Sequence, residues 1–242
     1  MKGFNFKSAT NTKEAAKLVT GRATFLAGGM SLLPAIKLRL AAYSDLVNIK
    51  RIKGLSGIKV SSKSLRIGAT TTHAMVASSK EVGKSIPSLA ILAEGIGDPQ
   101  VRNRGTIGGS IANNDPAADY PSACLALNAT IHTSKRKISA DKFFKGMFET
   151  DLKKGELIES IEFEVPEKSA YAKFPNPASR YAIVGVYVAK LKKEVRVAIT
   201  GAGNCVFRSN ELESALLNNF TPSAVDSASI LSKGLNSDIH AS

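Results

Sequence analysis

Short strands and helices alternate through the first 53 residues, as the spacing of their hydrophobic positions indicates. The segments FNFKSA, ATFLAG and DLVNI have the strand pattern, whereas helical spacing covers residues 12–20 and begins again after Ser31. A β-α-β-α-β order over so few residues is typical of an α/β unit whose helices cover a sheet. We therefore predict an α/β subdomain over residues 1–53.

Residues 54–167 combine strands with helices and a stretch rich in glycine. Helical spacing covers residues 73–79 and 86–95, and residues 103–114 have the composition of a glycine-rich turn region. Strands are expected in IKVSS, LRIGATTT, TIHTS, KIS and IESIEFEVP, with Lys135 and Arg136 at a hairpin tip. This block predicts a second, middle α/β subdomain.

The remainder of the chain, residues 168–242, has the pattern of an antiparallel sheet followed by helices. The segment EKSAYAKFPNPASR contains two prolines and is predicted to be a boundary loop, and YAIVGVYVAKL with VRVAITGAG predicts a hairpin. Asn210 and Glu213 have capping-box spacing before a helix, and a second helix is expected over residues 223–231. The third unit is therefore predicted to be a small antiparallel sheet with helices.

The composition fits a globular protein and limits its partners. The 242 residues are 43% hydrophobic, no apolar run is long enough to cross a membrane, and the N-terminus is too polar for a secretory leader. We expect a cytoplasmic protein without membrane insertion.

The net charge of +13 raises nucleic acid as a partner, but the basic residues are dispersed without interleaved aromatic residues, so we expect no nucleic acid. Cys124 and Cys205 are too few for a metal or iron–sulfur site, which must then belong to a partner.

The stretch LAGGMSLLPAIKLRL, which begins at Leu26, places a glycine pair between a strand and a helix. Its apolar residues recur at helical spacing after Ser31, the predicted N-cap, and Pro34 fits the first turn. Gly28 and Gly29 then precede the helix, where backbone N–H groups and the helix dipole suit an anion such as a diphosphate. The alternative is an ordinary strand-to-helix connection, since the turn matches neither the GxGxxG nor the GxxxxGK[ST] fingerprint.

A second glycine-rich run, TIGGSIANNDPAADYP, contains small residues, amide donors and hydroxyls within a short distance. Such a run can surround a polar ligand without steric clash, although a glycine-rich loop between strands is the alternative. The two glycine turns could hold one diphosphate from both sides through backbone N–H groups, while hydroxyls and Asp119 take ribityl or ribose groups. Together they predict one ligand that bridges two subdomains.

These segments resemble the flavoprotein, or medium, subunits of the molybdenum hydroxylases. The resemblance rests on AGGMSLLPAIKLRL, TIGGSIANNDPAADYP, IESIEFEVP, AYAKF, YAIVGV, TGAG and SDIHAS, and it covers nearly the whole chain. The family includes the FAD subunits of carbon monoxide dehydrogenase and aldehyde oxidoreductases and the flavin domain of xanthine dehydrogenase. It implies an α+β protein: a two-part FAD-binding α/β fold, vanillyl-alcohol-oxidase-like and PCMH-type, followed by a small antiparallel sheet and helix domain.

The resemblance also implies which residues bind FAD. It places the diphosphate on the AGGxS and TIGG turns, and Met30 and Asn113 stand where many relatives have histidine. Both replacements leave the main-chain donors in place. The implied FAD-binding residues are Leu26, Ala27, Gly28, Gly29, Met30, Ser31, Leu32, Ile96, Thr106, Gly108, Gly109, Ser110, Asn113, Asp119, Ile158, Lys173 and Tyr181.

Two of these positions carry a more specific expectation. The Lys173 ammonium is expected to stabilise the reduced, anionic flavin ring, and Tyr181 is expected to pack over the isoalloxazine. The alternatives are a lysine on a solvated strand end and a half-buried strand aromatic. His73, His132 and His240 are isolated at the ends of elements, so we expect surface positions and assign them no role.

The implied function is electron transfer by an oxidoreductase subunit. FAD would take electrons from a small iron–sulfur subunit and pass them to an external acceptor, while a large molybdenum subunit with molybdopterin hydroxylates the substrate. No catalytic acid–base pair, nucleophile or metal ligand is expected in this chain.

The resemblance implies a heteromeric complex, expected as a dimer of heterotrimers, and leaves its substrate and terminal acceptor open. Relatives continue past SDIHAS into a further helix, so the third domain is expected to be truncated here. A stand-alone flavin oxidoreductase of the same fold superfamily and a nonenzymatic nucleotide-binding module remain as alternatives.

Overall fold

Three larger sheets and a two-stranded ribbon organise the computed structural model, which describes residues 2–226, 228 and 234–237. The sheets lie one after another along the chain, within residues 1–53, 54–167 and 168–242. Their positions agree with the α+β fold that the sequence predicts. The division into three domains at these boundaries remains a prediction.

The first sheet is parallel and has the strand order β1-β3-β2. Asn11 caps the first helix, because its side chain accepts a hydrogen bond from the Glu14 N–H at 2.9 Å. The carboxyl end of β2 leads directly into the first glycine turn, which therefore lies at the edge of a parallel sheet where α/β proteins commonly bind ligands. The elements are β1 Asn5–Ser8, α1 Thr12–Leu18, β2 Thr24–Leu26, α2 Leu32–Lys37 and β3 Asp45–Asn48.

The middle sheet is antiparallel and has the order β4-β5-β10-β6-β7, with most of the helices between β5 and β6. The elements are β4 Ile58–Val60, β5 Ser64–Gly68, α3 His73–Ser78, α4 Lys80–Ser85, α5 Pro87–Glu94, α6 Pro99–Arg104, α7 Ile107–Asn113, α8 Tyr120–Ala126, β6 Thr130–Thr133, β7 Lys137–Ser139, α9 Ala140–Phe143, β8 Phe144–Gly146, β9 Glu149–Thr150 and β10 Ile158–Glu164.

The glycine-rich turn predicted over residues 103–114 is wrong for most of its length, since α7 occupies it. The Thr106 hydroxyl caps this helix by accepting a hydrogen bond from the Gly109 N–H at 3.1 Å. Gly108 lies directly against Ala69, where a β-carbon on Gly108 would come within 2.7 Å of the Ala69 oxygen. Gly108 therefore allows α7 to pack closely against the residue that follows β5, and it does not form a flexible turn.

The third sheet is antiparallel, in the order β11-β12-β13-β14. The predicted boundary loop EKSAYAKFPNPASR is largely the strand β11, whose Pro175 is tolerated because β11 is an edge strand. Ser209, rather than Asn210, caps the following helix, and its hydroxyl accepts from the Leu212 N–H. The elements are β11 Lys168–Pro175, β12 Ala182–Lys190, β13 Val195–Thr200, β14 Phe207–Arg208, α10 Asn210–Asn218 and the 3₁₀ helix Pro222–Val225.

The second C-terminal helix, predicted over residues 223–231, starts within this 3₁₀ helix and then runs into residues outside the described ones. No helix within the described residues is long and apolar enough to cross a membrane.

One large hydrophobic core joins the middle and C-terminal sheets. Tyr120, Phe163 and Tyr187 are fully buried in it. A smaller core holds the first sheet to the rest of the chain, and there Val47 packs with Leu157, which immediately precedes β10. Apolar burial of this kind is the main source of folding stability. The smaller core thus packs the first sheet against residues next to the middle sheet, whereas the large core joins the middle and C-terminal sheets.

Candidate functional site

A cleft of about 570 Å³ lies where the turn after β2, helix α7, the start of β10 and the turn before β12 meet. Its volume is within the range of small-molecule sites. Every residue that the family resemblance implies for FAD binding lines this cleft, except Lys173. The lining therefore brings together residues of the first two sheets, of the helices of the middle block and of the turn between β11 and β12.

The first glycine turn presents a run of backbone donors to the cleft. Within the described residues, no protein acceptor lies in hydrogen-bonding range of the N–H groups of the five residues from Gly28 to Leu32. Ser31 stands at the predicted N-cap position of α2, but its side chain makes no cap hydrogen bond. Consecutive free N–H groups that face a cleft are suited to bind the oxygens of a phosphate.

The two glycine turns are in direct contact. A β-carbon on Gly28 would lie 2.8 Å from the Gly105 Cα and would overlap the Arg104 carbonyl oxygen. Only glycine allows this approach. The turns that the sequence places far apart therefore meet in one cleft.

The second turn differs from the expectation that both turns offer backbone donors. The Ile107 N–H donates to the Thr71 oxygen at 3.1 Å, and the Gly108 N–H donates to the Ala69 oxygen at 2.9 Å. The Gly109 N–H is used by the Thr106 cap. That expectation is wrong for the TIGG turn, because its N–H groups already donate to the segment that follows β5 and to the Thr106 cap.

Polar side chains of α7, rather than backbone N–H groups of the TIGG turn, are available to a ligand in the cleft. Ser110 and Asn113 are half-buried, line the cleft and have no side-chain hydrogen bond to another described residue. A hydroxyl and an amide in this state can bind polar groups of a ligand.

Asp119 is held by two side chains of β11. Its Oδ1 accepts a hydrogen bond from the Tyr171 hydroxyl at 2.5 Å and forms an ion pair with the Lys173 ammonium at 3.0 Å. Burial raises the pKa of Asp119, and the Lys173 charge and the Tyr171 hydrogen bond oppose that rise. Its Oδ2 has no side-chain partner within the described residues, so an anchored oxygen atom remains for a ligand.

Lys173 lies behind Asp119 instead of lining the cleft. Its ammonium donates to the Gly95 oxygen at 2.8 Å and to the Arg180 oxygen at 3.0 Å, in addition to the ion pair with Asp119. Its side chain is only 10% exposed, so the alternative of a solvated strand-end lysine is wrong. The role in tuning the flavin stays a prediction, and any such effect would act through Asp119 or through space.

Three larger hydrophobic side chains also line the cleft. Ile96 follows α5, Ile158 begins β10, and Tyr181 precedes β12 and is 45% exposed. This exposure is compatible with the expected packing of Tyr181 over a bound ring, which remains a prediction.

The expectation of surface histidines is wrong at two positions. His73 is 5% exposed, lines the cleft, and packs its ring 5.4 Å from that of Tyr120. Burial, with the nearby Arg102 charge, lowers the pKa of His73 to about 4, so the imidazole is neutral at pH 7. His132 is also buried and contacts Glu162 at 2.8 Å. His240 lies outside the described residues.

Two further cleft residues were not found from the sequence. Glu156 is buried beside the cleft and accepts hydrogen bonds from Arg136, Thr133 and the Lys153 N–H. Arg180 lines the cleft from the turn between β11 and β12. No local pattern marks either residue, because both positions depend on contacts between distant segments.

Comparisons with known proteins agree with this geometry. Residues 2–167 match the family described as "FAD binding domain in molybdopterin dehydrogenase". The chain is 39% identical over 223 residues to the glyceraldehyde dehydrogenase medium chain of Sulfolobus acidocaldarius, covering 87% of this chain and 79% of that one. It is 35% identical over 243 residues to the carbon monoxide dehydrogenase medium chain of Hydrogenophaga pseudoflava, covering 93% and 84%.

A solved structure, quinoline 2-oxidoreductase from Pseudomonas putida 86, aligns with a TM-score of 0.91 at 29% identity and covers 100% of this chain and 91% of its own. The family match extends over more than half of the chain, and the identities exceed 30% over most of it. This chain therefore belongs to the family of FAD-binding medium subunits of the molybdopterin dehydrogenases.

Proposed function

We propose that this chain binds FAD in the cleft and transfers electrons between an iron–sulfur subunit and an external acceptor within a molybdenum hydroxylase. The observation that carries the proposal is the run of free N–H groups from Gly28 to Leu32, which faces a cleft of about 570 Å³. These donors and the direct contact of Gly28 with Gly105 fit a diphosphate.

Different residues of the cleft would bind different parts of FAD. The first glycine turn would hold the diphosphate, and Ser110, Asn113 and the free oxygen of Asp119 would hold hydroxyl groups of the ribityl or adenosine parts. Ile96, Ile158 and Tyr181 would pack against a ring and exclude water from it. Binding and orientation are thus shared between backbone donors and apolar contacts.

FAD, when bound, supplies the capacity to accept and release electrons, and the chain supplies the surroundings of the ring. Lys173 and Tyr171 keep Asp119 in place, and Asp119 in turn faces the cleft. None of these residues needs to form a covalent bond with a substrate. We therefore assign binding and positioning roles, and no catalytic role, to this chain.

The partners follow from the relatives. Two of them are named as medium chains, of a glyceraldehyde dehydrogenase and of a carbon monoxide dehydrogenase, and a medium chain implies a larger and a smaller one. We propose a small iron–sulfur subunit and a large molybdopterin subunit, in an oxidoreductase of the aldehyde or carbon monoxide type. A dimer of heterotrimers and a cytoplasmic location complete the proposal.

The test is to purify the chain with an affinity tag from its native host and to analyse what accompanies it. We expect equimolar FAD after denaturation, molybdenum and iron in two co-purifying subunits, and bleaching of the flavin absorbance on addition of substrates from an aldehyde and purine panel. A colourless chain that stays colourless with added FAD would contradict FAD binding. A chain that oxidises a small substrate without partners would contradict the subunit role.

A further inference from the structure

The carbonyl oxygen of Gly97, a residue that lines the cleft, is shared by two arginine side chains. Arg102 Nη1 donates to it at 3.0 Å and to the neighbouring Ile96 oxygen at 3.1 Å, and Arg180 Nη1 donates to the same Gly97 oxygen at 3.2 Å. The two guanidinium groups reach this point from α6 and from the turn between β11 and β12. Two positive charges are therefore held close together.

No acidic side chain neutralises this pair within the described residues. Neither Arg102 nor Arg180 forms an ion pair there, although Glu94 and Asp98 are close in sequence to Gly97. The Asp98 carboxylate instead caps α6 through the Val101 N–H at 2.7 Å. Two like charges at short range repel each other, so binding of an anion between them would relieve this repulsion.

The backbone of Arg180 is held in place, and both arginine side chains keep unused donors. The backbone of Arg180 has φ of 62°, a conformation that costs a non-glycine residue energy, and it is held by the bonds of its carbonyl to Lys173 and of its N–H to Asn176. A guanidinium carries five N–H groups, of which each of these two uses only part on the carbonyls. The remaining donors suit a phosphate or carboxylate.

We propose that Arg102 and Arg180 form a second anion site, which binds a phosphate or carboxylate group of the small molecule that approaches the bound flavin from solvent. This inference rests on the proposed function. The first glycine turn already offers free N–H groups to the diphosphate of FAD, whereas Arg180 lines the cleft with an exposed side chain that a molecule from solvent can reach. The external electron acceptor would then be an anionic molecule.

The experiment uses the full chain saturated with FAD and titrated with inorganic pyrophosphate by calorimetry at constant ionic strength. We expect wild type to bind pyrophosphate, and Arg102→Gln or Arg180→Gln to weaken binding by roughly tenfold or more, as expected for loss of a charge-assisted hydrogen bond. Affinity for FAD, measured in parallel by fluorescence quenching, is expected to fall much less than affinity for pyrophosphate, because the N–H groups from Gly28 to Leu32 are proposed to hold the coenzyme diphosphate. Because Arg180→Gln alters an exposed side chain, this variant tests the site even if the Arg102→Gln protein fails to fold.

Arg104→Gln is the matched control, because it removes an exposed arginine of the same helix that does not contact Gly97. A control that weakens pyrophosphate binding as much as Arg180→Gln would show a simple charge effect and overturn the site. A wild-type protein that binds FAD but no pyrophosphate would also overturn the site.

If the Arg180→Gln protein loses affinity for FAD but not for riboflavin, the two arginines bind a phosphate of the coenzyme, and the proposal of an external anionic molecule is wrong. A wild-type chain that binds no FAD contradicts the proposed function instead.

Discussion

Gly28 packs against Gly105 so closely that no β-carbon fits between them. This contact joins the turn of the parallel sheet to the turn that precedes α7, and the cleft opens beside it. The first turn follows β2 of the parallel sheet and the second lies between α6 and α7, so their contact also sets how these two parts of the chain are arranged around the cleft.

Gly28→Ala is therefore expected to weaken FAD binding. The new methyl group must displace the backbone at Arg104 and Gly105, and overpacking of this kind costs about 1–3 kcal/mol. If the cost falls on the bound state, affinity for FAD falls by roughly tenfold to a hundredfold. Fluorescence quenching on titration with FAD measures the change.

Gly83→Ala provides the control for this substitution. Gly83 lies in the exposed part of α4, and a β-carbon there would meet nothing within 4 Å. The variant should bind FAD like wild type and gain about 0.5–1 kcal/mol in free energy of unfolding, since alanine is the better helix residue. Equal FAD affinities in the Gly28→Ala and wild-type proteins would refute the role of the contact.

The strands and the first glycine turn could be predicted because local patterns determine them. Period-two runs such as IESIEFE and the glycine pair before α2 are visible without tertiary information. The strand β11 could not be predicted, because an edge strand with lysines and a proline has a mostly exposed surface and lacks a hydrophobic pattern. Its pairing with β12 decides its conformation.

Contacts between distant residues explain what else was missed in the site. The helical state of TIGG depends on Ala69, and the burial of Lys173 depends on Asp119, which lies in another part of the chain. The Gly97 carbonyl that joins Arg102 to Arg180 is a third case. Spacing along the chain predicts which residues share a helix or strand face, but it does not predict such pairs.

His73 should make the protein less stable in mild acid. Its pKa is about 4 in the folded protein against an ordinary 6.5, so below pH 6.5 the unfolded chain binds a proton that the folded chain does not. The free energy of unfolding should fall by up to about 3 kcal/mol between pH 6.5 and 4, and then level off for this group. His73→Phe removes this titration.

Denaturant unfolding of both proteins from pH 8 to pH 4 measures the difference. The free-energy gap between wild type and His73→Phe is expected to shift in favour of the variant as the pH falls through this range. Parallel pH profiles would mean that His73 titrates normally and is not buried in solution.

Glu156 should also make the protein less stable in acid, but in a lower pH range than His73. Burial would raise its pKa, but the hydrogen bonds from Arg136, Lys153 N–H and Thr133 outweigh burial and lower the pKa to about 2 from an ordinary 4.5. Its stabilising contribution is therefore complete above about pH 4.5 and is lost as the pH falls towards 2.

The comparison of wild type with Glu156→Gln isolates this contribution. Above pH 5 the variant should be less stable by a constant amount, and the two proteins should converge below pH 4. Asp151→Asn, which removes the other carboxylate that contacts Arg136, is a control for general loss of charge. A gap that stays constant down to pH 3 would show that the Glu156 carboxylate is not the group responsible.

The ion pair between Lys173 and Asp119 predicts strong coupling between their substitutions. Lys173→Met leaves the buried Asp119 carboxylate without its cation, and the loss of one partner of a buried pair costs about 3–5 kcal/mol. Asp119→Asn combined with Lys173→Met removes both charges and should be less destabilised than Lys173→Met alone. Additive losses in the double-mutant cycle would mean that the pair contributes no specific interaction.

The same variants test whether Lys173 acts on the flavin. If its charge stabilises the reduced, anionic ring, Lys173→Met should lower the flavin midpoint potential, because removal of a nearby positive charge disfavours added negative charge. Asp119→Asn should raise the potential, since it leaves the Lys173 charge uncompensated next to the cleft. Spectroscopic redox titration of FAD-loaded protein measures both, and unchanged potentials with intact FAD content would leave Lys173 with a purely structural role.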